Sequence, residues 1–128
     1  MAAGTRMKRV LIVEDDTDMQ EIYRNMFNDQ ADKYEVDILG DAVEGLRRLK
    51  EGIFDLVILD IIMEPMPGDS FFSCARDDSA VRDIPILVVS VLNPDDLEHF
   101  KKTDHVDFLQ KPITKEELFT KIAGFLKA

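Results

Sequence analysis

A chain of 128 residues with 26 acidic and 16 basic side chains, net charge −10, suffices for one domain with a sizeable core. That charge disfavours the phosphate backbone of nucleic acids and anionic membrane surfaces, and no apolar segment approaches the roughly 18–20 residues that span a bilayer. The single cysteine, Cys74, excludes an internal disulfide, and the opening MAAGTRMKR has no apolar stretch to act as a secretory signal, so a reducing compartment, the cytoplasm, is expected.

Residues 10–13 (VLIV) form a short apolar run between basic residues and the acidic triplet Glu14, Asp15 and Asp16. Thr17 and Gln20 have the spacing of a capping box, and Met19, Ile22, Tyr23, Met26 and Phe27 follow at helical spacing. A polar connection, residues 28–33, leads into residues 35–39, whose alternation suits a strand open to water on one face. Asp41 and Glu44 open a second helix with a core face of Ala42, Leu46 and Leu49, which Gly52 stops.

Residues 56–59 (LVIL) are apolar throughout and end abruptly on Asp60, before a turn marked by Pro65, Pro67 and Gly68. This is the pattern of a fully buried strand delivering one carboxylate to the rim of a sheet. Residues 70–75 are expected to be helical, and residues 84–89 are another continuous apolar run, ending on Ser90. Asn93, Pro94, Asp95 and Asp96 supply an N-cap, a first-turn proline and acids suited to the helix dipole, predicting a short helix to about Lys102. A last strand over residues 106–109 leads to Lys111 and Pro112. Thr114 and Glu117 make a second capping box, and Leu118, Ile122 and Phe125 line the closing helix.

Strand and helix thus alternate five times, which argues for an α/β fold: a doubly wound, five-stranded parallel sheet with helices on both faces. The second and fifth strands are amphipathic and belong at the edges, which fits the order 2-1-3-4-5. In that order the chain reverses between strands one and three, and ligands of open α/β sheets bind beyond the strand carboxyl ends at such a point.

The chemistry-bearing residues share that address. Glu14 and Asp15 end strand one, Asp60 ends strand three, Ser90 ends strand four and Lys111 ends strand five. Two like charges about 5 Å apart repel by roughly 3 kcal/mol at an effective dielectric near 20, so converging carboxylates call for an offsetting cation. A hard divalent ion with oxygen ligands, Mg²⁺, meets that need. With a lysine and a hydroxyl on the same rim, the set forms an electrostatic cradle for a phosphoryl group, and an Asp carboxylate can accept one as an acyl phosphate. As simpler readings, the acids are helix caps or turn caps, Lys111 a solvated strand end and Ser90 a loop cap. His99 and His105 lack metal-ligand spacing and are read as surface residues.

Glu14-Asp15 after strand one, Asp60 with Met66 and Gly68 following, Ser90 after a buried strand, and Phe108-Leu109-Gln110-Lys111-Pro112 together resemble the receiver domain of two-component response regulators. The resemblance covers residues 8–127, leaving residues 1–7 as an N-terminal extension, and implies a flavodoxin-like fold. It further implies that Asp60 accepts phosphoryl from a phosphohistidine on a histidine kinase or histidine phosphotransfer protein. Asp15 and Asp60 would bind Mg²⁺ directly with the backbone carbonyl of Ile62, and Glu14 through a water. Lys111 would pair with Asp60 and then with the phosphoryl group, Ser90 would swing toward the new oxygens, and Phe108 would move inward. That coupled pair would alter the face built from the helix opening at Asn93, the last strand and the closing helix, for a downstream protein or an output domain outside this chain. A cis peptide bond before Pro112 is also implied.

Three positions depart from the family pattern. Glu64 stands where proline is usual, the bulkier Val91 follows the switch hydroxyl, and Asp104-His105 replaces a common Gly-Ala. Two other classes compete. A haloacid-dehalogenase-type phosphatase also uses a strand-end Asp, but needs a second Asp two residues on, where Ile62 stands. A degenerate receiver would be a phosphate-independent interaction module on the same fold.

Overall fold

The computed structural model describes residues 7–64, 66–97 and 105–126. In chain order the elements are β1 (Lys8–Val13), α1 (Thr17–Asn28), β2 (Tyr34–Leu39), α2 (Ala42–Glu51), β3 (Leu56–Leu59), α3 (Gly68–Asp77), β4 (Ile86–Ser90), β5 (Val106–Gln110) and α4 (Lys115–Leu126). All four strand pairings are parallel and the sheet order is β2-β1-β3-β4-β5. The amphipathic strands β2 and β5 occupy the edges, as the alternation in their sequences predicts.

The apolar runs of β1, β3 and β4 follow from burial on both faces, because successive side chains point to opposite sides. Leu11, Val13, Val57, Leu59, Ile86 and Val88 face α2 and α3, packing with Ala42, Leu49, Phe71 and Ala75. Their neighbours Val10, Ile12, Leu56, Ile58, Leu87 and Val89 face α1 and α4, packing with Met19, Tyr23, Phe27, Leu118 and Ile122. Each fully buried aliphatic side chain of this kind contributes about 1.5–3 kcal/mol, so the two layers hold the central strands rigidly.

Helix boundaries refine the sequence reading. Asp16, not Thr17, caps α1, accepting from the amide of Asp18 at 2.9 Å, so Thr17 is the first helical residue and Gln20 is free for another contact. On that helix Met19, Tyr23 and Phe27 are buried, Met26 is half-buried and Ile22 is exposed. Asp41 caps α2 and Gly52 ends it; Ala42 and Leu49 are buried and half-buried Leu46 packs against the same core, joined by Gly45, where an added Cβ would meet Val13 at 2.9 Å. Helix α3 is longer than residues 70–75 and carries the exposed Cys74. The second capping box is present: the Glu117 amide donates to Thr114 Oγ1 at 3.0 Å and the Thr114 amide to Glu117 Oε1 at 2.9 Å.

Of the helix expected after Asn93, residues 94–97 form a 3₁₀ turn; the remainder lies outside the described residues, as do Pro65, His99 and Asp104. Exposed His105 enters β5 with φ of 63°, the left-handed region. Its carbonyl accepts from the Ile86 amide at 2.9 Å and from Arg76 Nη2 at 3.0 Å, joining the starts of β4 and β5 to α3. A side chain in that conformation costs about 1–2 kcal/mol, so His105→Gly should raise stability by about 0.5–1 kcal/mol and His105→Val lower it by a similar amount, read by urea unfolding.

Candidate functional site at the carboxyl ends of the strands

Strand register creates the site. Val13 of β1 pairs with Leu59 of β3, so the next residues, Glu14 and Asp60, leave the sheet side by side. The Asp60 amide donates to the Val13 carbonyl at 3.2 Å and the Glu14 amide to the Leu39 carbonyl at 2.9 Å, extending the ladder to the rim. Across β4, Ser90 pairs with Gln110, and the Lys111 amide donates to the Ser90 carbonyl at 2.8 Å. Lys111 begins two strands from Asp60, roughly 10 Å across the sheet, and its four-carbon stem covers most of that span.

Its ammonium ends between the two carboxylates, 2.8 Å from Glu14 Oε1 and 2.9 Å from Asp60 Oδ2. The side chains of Glu14, Asp60 and Lys111 are only 1%, 8% and 13% exposed, so the contact is a largely desolvated ion triad. The second oxygens are also held: Asp60 Oδ1 accepts from the Ile62 amide at 3.1 Å and Glu14 Oε2 from the Asp16 amide at 3.2 Å. The peptide bond from Lys111 to Pro112 is cis.

Burial pushes the Glu14 carboxyl above its ordinary range; the hydrogen bond from Lys111 opposes this, and the negative charge of Asp60 adds to it. Desolvation pulls the Lys111 ammonium down, but its hydrogen bonds and charge contacts with Glu14 and Asp60 outweigh that and hold it above the usual lysine value. The same field reaches the phenol of Tyr23 beneath the rim, which burial raises first and the charges of Glu14 and Asp60 raise further.

The remaining candidates are placed less tightly. Asp15 lies in the same acidic turn, exposed, and its side chain makes no hydrogen bond or ion pair among the described residues. Ser90 is 1% exposed; its Oγ accepts from the Leu92 amide at 3.4 Å and makes no hydrogen bond with Asp60. Phe108 is half-buried on edge strand β5, packed against the cluster beneath α2 and α3 together with Leu92 and Val106. Ile62, two residues after Asp60, has an exposed side chain, and Glu64 and Val91 are exposed as well.

Two further residues shape the site, and of these Gln20 carried only a capping signal in the sequence. Gln20 turns its amide nitrogen to the Glu14 carbonyl, 2.6 Å away. Gly68, a turn residue that also belongs to the receiver-like motif of the sequence, opens α3 directly beneath Asp60. An added Cβ there would lie 2.1 Å from the Asp60 carbonyl oxygen and 2.6 Å from Ile61 Cα, so only glycine fits this close approach.

Glu14, Asp15 and Asp60 bring three negative charges against the one positive charge of Lys111, an excess of two that a dication would neutralise. Among the described residues no group of three or more His, Cys, Asp or Glu side chains is arranged to hold a metal ion by itself. A hard dication here would draw on two carboxylates, a carbonyl and waters, a ligand set that suits Mg²⁺. The donor chemistry therefore fits.

The family model for the response regulator receiver domain matches residues 10–123, and the chain belongs to that family. It is 30% identical over 122 residues to the transcriptional regulatory protein CiaR of Streptococcus pneumoniae, covering 94% of this chain and 52% of that protein. It is 29% identical over 119 residues to the cyclic di-GMP phosphodiesterase response regulator RpfG of Xanthomonas campestris, covering 92% of this chain and 32% of that one. The chain thus spans about half or less of these relatives. The chemotaxis response regulator CheY4 of Vibrio cholerae superposes with a TM-score of 0.85 at 27% identity, covering 94% of this chain and all of that one. The receiver domain of sensor histidine kinase PA1611 from Pseudomonas aeruginosa, crystallised with magnesium in its active-site cleft, has the same fold, with a TM-score of 0.83 at 20% identity over 96% of this chain. The protein is accordingly a receiver-domain signalling module of two-component systems. Among the described residues no helix is long and apolar enough to cross a membrane.

A raised carboxyl pKa in the fold means that the folded state binds the proton more tightly than the unfolded chain does. Stability from Glu14 is therefore lost as pH rises from its ordinary 4.5 through its raised value. In metal-free buffer Glu14→Gln should raise the melting temperature at pH 7, and this advantage should shrink toward zero as pH falls to 4.5, measured by paired thermal melts.

Proposed function

We propose that this receiver accepts a phosphoryl group on Asp60 from a phosphohistidine carried by a histidine kinase or histidine phosphotransfer protein in the cytoplasm. The observation that carries this reading is the state of the Asp60 carboxylate. It sits at a buried strand end with one oxygen on the Ile62 amide and the other on the Lys111 ammonium. In the transfer, an Asp60 carboxylate oxygen attacks phosphorus and the P–N bond of the donor breaks. The bonding pair returns to the imidazole nitrogen, leaving an acyl phosphate on Asp60.

The reaction asks for alignment and charge neutralisation more than for covalent machinery. Lys111 is already in contact with the acceptor and needs only a small shift to follow charge onto the phosphoryl oxygens. Asp15, Asp60 and the Ile62 carbonyl, with Glu14 through a water, are the groups that would hold Mg²⁺, which when bound supplies further charge neutralisation at the phosphoryl group. Ser90 Oγ, accepting among the described residues only a long bond from Leu92, has its proton available for a new phosphate oxygen. Its movement would leave space for Phe108 to turn inward, remodelling the face of β5, α4 and the segment after Asn93 for a downstream protein or output domain.

With Mg²⁺ and acetyl phosphate, the protein should gain one phosphoryl group by intact mass, mapped to Asp60 after borohydride trapping. Asp60→Asn should abolish it. Failure of wild type to label under any donor would instead favour the phosphate-independent interaction module. Exposed Ile62, two residues after the acceptor, and half-buried Leu92, two residues after Ser90, are the apolar residues that would hinder attacking water. The acyl phosphate should accordingly persist for minutes or longer, and decay within seconds would contradict that shielding.

A further inference from the structure

Resting on the phosphoacceptor reading, we infer that Gln20 is a positioning residue for the metal-binding turn, through the hydrogen bond that its side-chain amide donates to the Glu14 carbonyl. Asp15 is exposed and its side chain has no partner among the described residues, so its placement depends on the backbone on either side of it. Between the Glu14 amide and the Asp16 amide, three hydrogen bonds hold that backbone. The Glu14 amide donates to the Leu39 carbonyl at 2.9 Å, the Glu14 carbonyl accepts from Gln20 Nε2 at 2.6 Å, and the Asp16 amide donates to Glu14 Oε2 at 3.2 Å. The first belongs to the sheet, and the third depends on a side chain that Lys111 also holds. Only the second comes from a residue with no other part in the site.

Gln20 is itself fixed by the fold, since its backbone amide donates to the Asp16 carbonyl at 2.9 Å at the first turn of α1. The β2–α2 turn supports it from the other side. An added Cβ on Gly40 would lie 3.1 Å from Gln20 Nε2, 3.7 Å from the Glu14 carbonyl oxygen and 3.9 Å from Asp15 Cα. Gly40 leaves just enough room for the amide to reach the carbonyl. A carbonyl next to a ligand, oriented by a side chain outside the ligand set, is the arrangement by which outer partners tune metal affinity. A glutamine suits this because it donates a hydrogen bond without adding charge beside three carboxylates.

The test compares wild type with Gln20→Met, which keeps the volume and removes the donor, and with Gly40→Ala, which crowds the amide without removing it. Mg²⁺ binding is read by titration calorimetry, and acetyl phosphate labelling is followed against Mg²⁺ concentration. Gln20→Met should weaken Mg²⁺ binding by about tenfold, with a smaller loss for Gly40→Ala. The labelling rate at saturating Mg²⁺ should stay at the wild-type value, and amide hydrogen exchange at Asp15 and Asp16 should quicken. Mg²⁺ affinity within about twofold of wild type in both variants would overturn the inference, as would a loss confined to the saturated rate. If Gln20→Met fails to fold, the Gly40→Ala comparison decides by the same criteria. Wild type that binds Mg²⁺ yet is never labelled would overturn the phosphoacceptor reading alone, because calorimetry still tests Gln20.

Discussion

The contact on which the rest of the site depends is the Lys111 ammonium lodged between Glu14 and Asp60. Two carboxylates leaving adjacent parallel strands at the same level are forced together by register, and each is nearly closed to water. Taking charges out of water costs several kcal/mol apiece, and that cost is met here by one shared cation and by the backbone amides of Asp16 and Ile62. Glu14 still bears a residual penalty, visible in its raised affinity for a proton. The triad is therefore tense: its charges are paired but not balanced.

That imbalance is useful to a receiver. An acceptor carboxylate fully satisfied by protein groups would have no reason to engage a metal or a phosphoryl group, whereas a rim with excess negative charge attracts a dication. Lys111 reaches the rim from an edge strand on a flexible stem, and the Ser90 carbonyl and Lys111 amide join the ends of β4 and β5. A change at Asp60 thus has a direct covalent and hydrogen-bonded route to β5, where Phe108 packs. The groove of about 560 Å³ between α1 and β2, lined by Phe27, Tyr34, Ile38, Arg24 and Arg48, contains none of the rim residues.

Much of this was legible in the amino-acid sequence because the relevant forces are local or periodic. Apolar runs at 10–13, 56–59 and 84–89 point to strands buried on both faces, although β4 itself begins only at Ile86, and the alternation in 35–39 marks an edge. Asp41 and Thr114 announce their helices by hydrogen bonds that span two or three residues. Where local signals compete, the sequence was a poorer guide. Thr17 and Gln20 have capping-box spacing, yet Asp16 takes the cap, and Gln20 is drawn instead to the Glu14 carbonyl.

Composition and order along the chain determined that Glu14, Asp15, Asp60, Ser90 and Lys111 each end a strand, because an apolar run must stop where the sheet meets water. Only the tertiary structure decided which of them touch. The Glu14–Lys111 contact joins residues 97 apart, and the Asp60–Lys111 contact residues 51 apart. Both depend on the register of β1 against β3 and of β4 against β5, set by packing in two layers at once. Gly68 was marked in the sequence by its turn and its motif, but the physical reason for glycine there is tertiary. Helix α3 begins within van der Waals contact of the Asp60 carbonyl, a proximity that no spacing along the chain encodes.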